Sequence, residues 1–165
     1  MIEHFKKFDD GGKSLLPLSF SHLNEFAFYR ERWALRRIFG YETINILNDL
    51  RVEFVSRIGY MGVNDIDGTM IINAYYLSNG DIRDIYLDLI HELVHVKQFR
   101  DGKKLFDRRY KYIERATEIE AYRYAVEEAR IIGMTDSEIF KYLKTEWMSN
   151  EHHKRLAETL KVKNN

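Results

Sequence analysis

His91 and His95 stand four residues apart, and Glu92 directly follows the first of them. On an α-helix, which turns about 100° per residue, the two imidazoles lie about 40° apart on one face and one turn apart in height. That spacing lets two ring nitrogens meet one metal ion at about 2 Å. Glu92 falls about 100° round from His91, too far round to be an easy third ligand but able to reach a water on the ion. Two ligands and an acid–base group are the equipment of metal-assisted hydrolysis. The bland alternative is a pair of structural histidines, each satisfied by its neighbours.

The helix that must carry these residues is predicted over 81–100, between Asn79-Gly80 and Asp101-Gly102. Leu87, Leu89, Ile90, Leu93, Val94 and Val96 make it apolar over most of its circumference, so it is expected to be central. Asp84, Asp88, His91, Glu92, His95 and Gln98 share a stripe about 120° wide. A buried helix tolerates such a stripe only where a metal, a partner or a wet cleft satisfies it.

A catalytic ion of this kind keeps three protein ligands and one open position. The chain has no cysteine, which excludes disulfides, thiolate sites, iron–sulfur clusters and cysteine nucleophiles. The third ligand must then be His, Asp or Glu. His4, His22, His152 and His153 are remote from the motif, and His152-His153 reads as solvated surface beside Glu151 and Lys154. Better candidates are Glu114, Glu118 and Glu120 on a helix predicted over 112–132 and stopped by Gly133. Ala121, Tyr122, Ala125 and Ala129 fall within about 60° of Glu118 on that helix. Small alanines let a helix approach its neighbour closely, so Glu118 lies on the packing face and is preferred. Glu114, one turn earlier and about 40° off, stays open as a ligand or a supporting partner. Glu120, about 160° round, points to solvent.

The rest of the chain must hold this helix pair. A helix is expected over 19–39 with Ser21 as a cap, ended by Gly40, and a short one over 42–50. Strands are expected over 52–58 and 69–74, joined around the turn Asn64-Asp65-Ile66-Asp67-Gly68 as an antiparallel hairpin. Thr135 with Glu138 reads as a capping box opening a helix to about Glu146, and Ser149 or Asn150 caps a last one to about Leu160. The order is helices, a small sheet, then helices, which is an α+β arrangement. With 165 residues the chain fits a single domain over 1–165, its residues 1–13 a loose arm with Gly11-Gly12 as the flexible joint. Lys+Arg and Asp+Glu are both 26, so charge offers no attraction to nucleic acid. No apolar run approaches a membrane span, and Met1–Asp10 is polar, unlike a signal peptide, so a soluble cytoplasmic protein is expected.

Three segments resemble the zincin metallopeptidases, in the branch whose third ligand is a glutamate (gluzincins). The likeness is to its compact members: the minimal gluzincin scaffolds and the ImmA/IrrE-like and HtpX-like catalytic domains. The segments are His91-Glu92-Leu93-Val94-His95; Glu118-Ile119-Glu120-Ala121-Tyr122-Arg123-Tyr124-Ala125; and Gly68-Thr69-Met70-Ile71-Ile72-Asn73 with Tyr76-Leu77. They span roughly residues 52–131, and only the first is specific by itself. The resemblance implies a zincin-like α+β fold with a small antiparallel sheet, a central active-site helix and N- and C-terminal helices packed on it. It implies one zinc ion on His91, His95 and Glu118, with Glu92 as general base. It also implies an edge strand, here 69–73, on which an extended peptide or protein substrate would lie. The family often has Asp or Asn four residues after the ligand Glu, steadying a histidine; this chain has Tyr122. Moving the register back one turn would make Glu114 the ligand and leave Glu118 in that steadying position.

The expected activity is peptide hydrolysis by a zinc metallopeptidase, with Tyr110 or Tyr122 available to steady the oxyanion. The rival expectations are a silent binding or regulatory module on the same scaffold, and a latent enzyme whose cleft is covered by residues 133–165. Completing the core is the plainer role for that segment.

Overall fold

A computed structural model of the chain describes residues 33–56 and 59–163. The arm expected over 1–13, His4, His22 and most of the helix expected over 19–39 lie outside the described residues; the described part of that helix is α1, Trp33–Phe39. A 3-10 turn, Gly40–Glu42, leads into α2, Thr43–Asp49. The sheet follows: β1 Val52–Val55, β2 Met61–Val63 and β3 Met70–Asn73. Then come α3 Ala74–Asn79, α4 Ile82–Arg100, α5 Ala116–Ile131, α6 Asp136–Tyr142 and α7 Asn150–Thr159. The class is α+β, as the order of elements suggested. No helix among the described residues is long and apolar enough to cross a membrane.

The sheet departs from the expected hairpin. Its strand order is β1-β3-β2; β1 pairs with β3 in parallel, Val52 opposite Met70, and β2 pairs with β3 antiparallel, Met61 opposite Ile72. The hairpin is β2–β3, and β3 inserts between the other two strands. The short β2 was not anticipated because Gly59, Tyr60, Met61, Gly62 and Val63 carry a weak alternation, broken by two glycines. Along β1 and β3 every second side chain (Val52, Phe54; Met70, Ile72) is buried, as the two-residue strand period requires.

The β2–β3 turn is held by the Asn64 and Asp67 side chains, which accept from the backbone N–H groups of Ile66 and Thr69 at 2.9 and 3.0 Å. Gly68 closes it with φ +74°, and a Cβ there would stand 2.6 Å from Phe99 Cδ1 on α4. Gly68→Ala is expected to lower stability by roughly 1–3 kcal/mol through left-handed strain, before any clash is counted. Urea denaturation checks it; an unchanged midpoint would show that the turn relaxes freely.

Helix α4 is the central element. Asp81 caps it, accepting from Arg83 N at 2.8 Å, and its buried residues run round most of its surface. Ala121, Ala125 and Ala129 of α5 are fully buried, and they bring α5 against α4 as the alanine stripe predicted. The predicted start of α5 needs correction. Tyr112–Glu114 form a separate 3-10 turn, Arg115 is extended (φ −69°, ψ 125°), and the α-helix begins at Ala116.

The C-terminal helices join the same core. Ile139, Leu143 and Leu156 are fully buried in one cluster with Leu87, Ile90 and Val126. Thr135 and Glu138 form the capping box, and Ser149 caps α7. Helix α6 stops at Tyr142 rather than near Glu146, because Leu143 and the turn after it are drawn into the core and toward the cleft described below. His153 corrects the surface reading: it is buried, packs on the Phe140 ring and places Nε2 2.6 Å from Phe140 O. Its position on the inner side of an amphipathic α7 overrides its polar neighbours in sequence.

Candidate metal centre

His91 and His95 project from one side of α4, and Glu118 projects toward them from the first turn of α5. All three are buried, and their ligand atoms lie within 4.8 Å of one another. The two Nε2 atoms are 3.0 Å apart. Glu118 Oε2 stands 3.3 Å from His91 Nε2 and 3.4 Å from His95 Nε2. Yet that oxygen meets hydrogen-bond geometry with neither ring. The two rings can hydrogen-bond each other, but that bond leaves the buried carboxylate oxygen beside it orphaned, so a hydrogen-bond network does not account for all three atoms. They fit a shared cation well. Ligands about 2.0–2.1 Å from a tetrahedral ion are separated by about 3.3 Å, which is the scale of this triangle.

Neighbouring groups set the ring orientations. Gln98, fully buried, donates from Nε2 to Thr117 O at 3.0 Å and to Glu120 Oε2 at 2.8 Å. Its Oε1 must therefore face His95 Nδ1, 2.8 Å away, as an acceptor. The proton of neutral His95 is thereby held on Nδ1, and Nε2 keeps its lone pair for an ion. Gln98→Ala is expected to weaken metal binding by about 10- to 100-fold. Competition against a chromophoric chelator measures it, and unchanged affinity would show that His95 is oriented without this bond. His91 Nδ1 has no hydrogen-bond partner. Instead the Tyr122 ring packs edge-on against the His91 ring, centroids 4.3 Å apart.

Burial and charge act against each other here. Burial opposes the Glu118 anion, but pairing with His91 and His95 outweighs it and holds the carboxyl at about 2. Burial likewise opposes a charged His95, and pairing with Glu118 and the nearby Glu92 raise it to about 9. His91 is pushed down, chiefly by burial. Burial lifts Glu92 to about 8, with Glu118 and Asp88 adding and His95 opposing. Glu92 is only 9% exposed and makes no hydrogen bond or ion pair among the described residues. It lines the same cleft as the triad, a cavity of about 720 Å³.

The other sequence candidates fall elsewhere. Glu114 pairs with Arg155 at 3.1 Å and takes no part in the triad. Helical arithmetic placed it beside Glu118, but the extended Arg115 breaks the register and swings it away. Glu120 is half-buried rather than solvated, pairing with Lys103 at 2.8 Å while it anchors Gln98. Tyr110 is 52% exposed and away from the cleft. Tyr122 lines it, its hydroxyl 3.0 Å from that of Tyr112, another lining residue that spacing alone did not single out.

The segment 69–73 is also corrected. As the central strand, β3 has its main chain engaged by β1 on one side and β2 on the other. The strand beside the cleft is β2, whose Met61 and Gly62 line it. Comparison of the chain with protein-family models, curated proteins and solved structures finds no match.

Proposed function

We propose that this chain is a zinc-dependent peptidase of the zincin type with a glutamate third ligand. The carrying observation is the meeting of His91 Nε2, His95 Nε2 and Glu118 Oε2 at one buried point, with an unpaired Glu92 in the same cleft. Two imidazoles and a carboxylate are a donor set suited to zinc, with a fourth position left for water. When bound, zinc would lower the pKa of a water toward about 7 and polarise the scissile carbonyl. Glu92 takes the water's proton and delivers it to the leaving amine. The Tyr112 and Tyr122 hydroxyls, both held protonated by burial, are donors for the carbonyl oxygen. The outer edge of β2 offers main-chain groups to an extended peptide.

The buried, unpaired Glu92 favours catalysis over a silent module, since a structural site has no use for a carboxylate there. The test is metal content after purification together with hydrolysis of a peptide library. One zinc per chain is expected, with cleavage lost to a chelator and restored by zinc. A protein that binds no stoichiometric metal would sink the proposal.

A further inference from the structure

The cleft beside the triad has an unusual charge balance. Asp88, Glu92, Glu118 and Glu146 all line it, and among the described residues no Lys or Arg does. A divalent ion would offset two of those four carboxylates and leave two without a counter-charge. The residual pair is Asp88 and Glu146, and both stand among aromatic rings.

Asp88 lies one helical turn before Glu92 on α4, about 6 Å along the axis. Its Oδ2 accepts from Tyr76 at 2.7 Å and its Oδ1 from Tyr142 at 3.0 Å. Each oxygen keeps a second lone pair, and no cationic side chain pairs with either among the described residues. Burial raises the carboxyl to about 6 while the two tyrosines restrain it, so it is largely ionised at neutral pH. Tyr60 packs edge-on against Tyr76, centroids 4.9 Å apart, and burial together with the nearby Glu146 carboxylate holds its hydroxyl protonated. Carboxylates supply charge, and Tyr60, Tyr76 and Trp147 supply π-faces in the same cavity. A neutral or acidic side chain would leave Asp88 uncompensated in a partly dry site, whereas an ammonium or guanidinium would satisfy it.

Resting on the peptidase reading above, we propose that this subsite selects substrates with a Lys or Arg beside the scissile bond, its cation held by Asp88 and Glu146 against the rings of Tyr60 and Tyr76. Glu92 gives a second, independent sign that this cavity receives a ligand: a carboxylate more than nine-tenths buried, lining the cavity and unpartnered among the described residues.

The experiment uses paired peptides that differ only in Lys, Arg, norleucine or Glu at the positions flanking one bond. Cleavage by the zinc-loaded protein and binding to zinc-loaded Glu92→Gln are both measured. Lys and Arg peptides are expected to exceed norleucine by roughly 10- to 100-fold in kcat/KM and in affinity, with Glu poorest. Asp88→Asn and Glu146→Gln should each pull the Lys-to-norleucine ratio toward one. Glu146 lies on an exposed turn, so its variant keeps the test alive should Asp88→Asn fail to fold. Equal cleavage of Lys and norleucine peptides would overturn the subsite and leave the peptidase reading standing. Selective binding without cleavage, lost in Glu146→Gln, would uphold the subsite and overturn hydrolysis. Absence of any preference in binding would overturn the subsite whatever the activity.

Discussion

Replacing Glu92 with glutamine is expected to reduce peptide hydrolysis by about 10²- to 10⁴-fold while zinc stays bound. The substitution keeps the size of the side chain and breaks no hydrogen bond or ion pair among the described residues. What it removes is the ability to accept a proton. Glu92 is not among the three converging donors, so the affinity for metal should hardly change. Measuring kcat and metal content on one sample separates chemistry from loss of the ion. Full activity in the variant would remove Glu92 from the role of base. In the chelated protein the same substitution should raise stability near pH 8, because the native site disfavours the Glu92 anion that the unfolded chain accepts freely.

The second large effect couples metal to pH. In the metal-free protein Glu92 is raised from 4.5 to about 8, His95 from 6.5 to about 9 and Asp88 from 3.8 to about 6. A folded pKa above the unfolded one means that the native state holds the proton longer. The associated stability is full below the unfolded pKa and is lost as pH rises through the folded one. All three groups act in that sense, over a window from about pH 4 to 9. Glu118 is lowered from 4.5 to about 2, so its contribution is lost only as pH falls through that lower range. His91, pushed down by burial, acts in the opposite sense, so its contribution is lost as pH falls below its ordinary range. The chelated protein should therefore be most stable between about pH 4 and 5 and lose several kcal/mol by about pH 8.5. Zinc should reverse the trend, since binding needs a neutral His95 and a charged Glu118, and a nearby cation favours the Glu92 anion. The zinc-induced rise in melting temperature should be larger at pH 8 than at pH 6. Thermal melts across that range, with chelator and with zinc, check it. A flat profile in chelator would refute the charge balance described for the site.

Much of this site was legible in sequence because helical geometry is local. His91, Glu92 and His95 are placed by the 3.6-residue turn, and the Thr135 cap by hydrogen bonds within three residues. The alanine stripe that brings α5 close to α4 is equally local, and it favoured Glu118. Tertiary structure decided the rest. Glu114 was removed by one extended residue, Arg115, which a periodicity argument treats as helix. The strand pairing came out parallel because β2 took the turn expected to join β1 and β3, and partners along a sheet are chosen by distant contacts. Gln98 was visible as part of a polar stripe, but its hold on His95 depends on Thr117 and Glu120 from another helix. Asp88, Tyr76, Tyr142 and Glu146 come from α4, α3, α6 and the turn after α6, and only packing brings them together. The sequence by itself put His91, Glu92 and His95 on one helical face and favoured Glu118; the fold decided that Glu118 and not Glu114 meets the two histidines and built the cleft, because both depend on contacts between segments that no local period encodes.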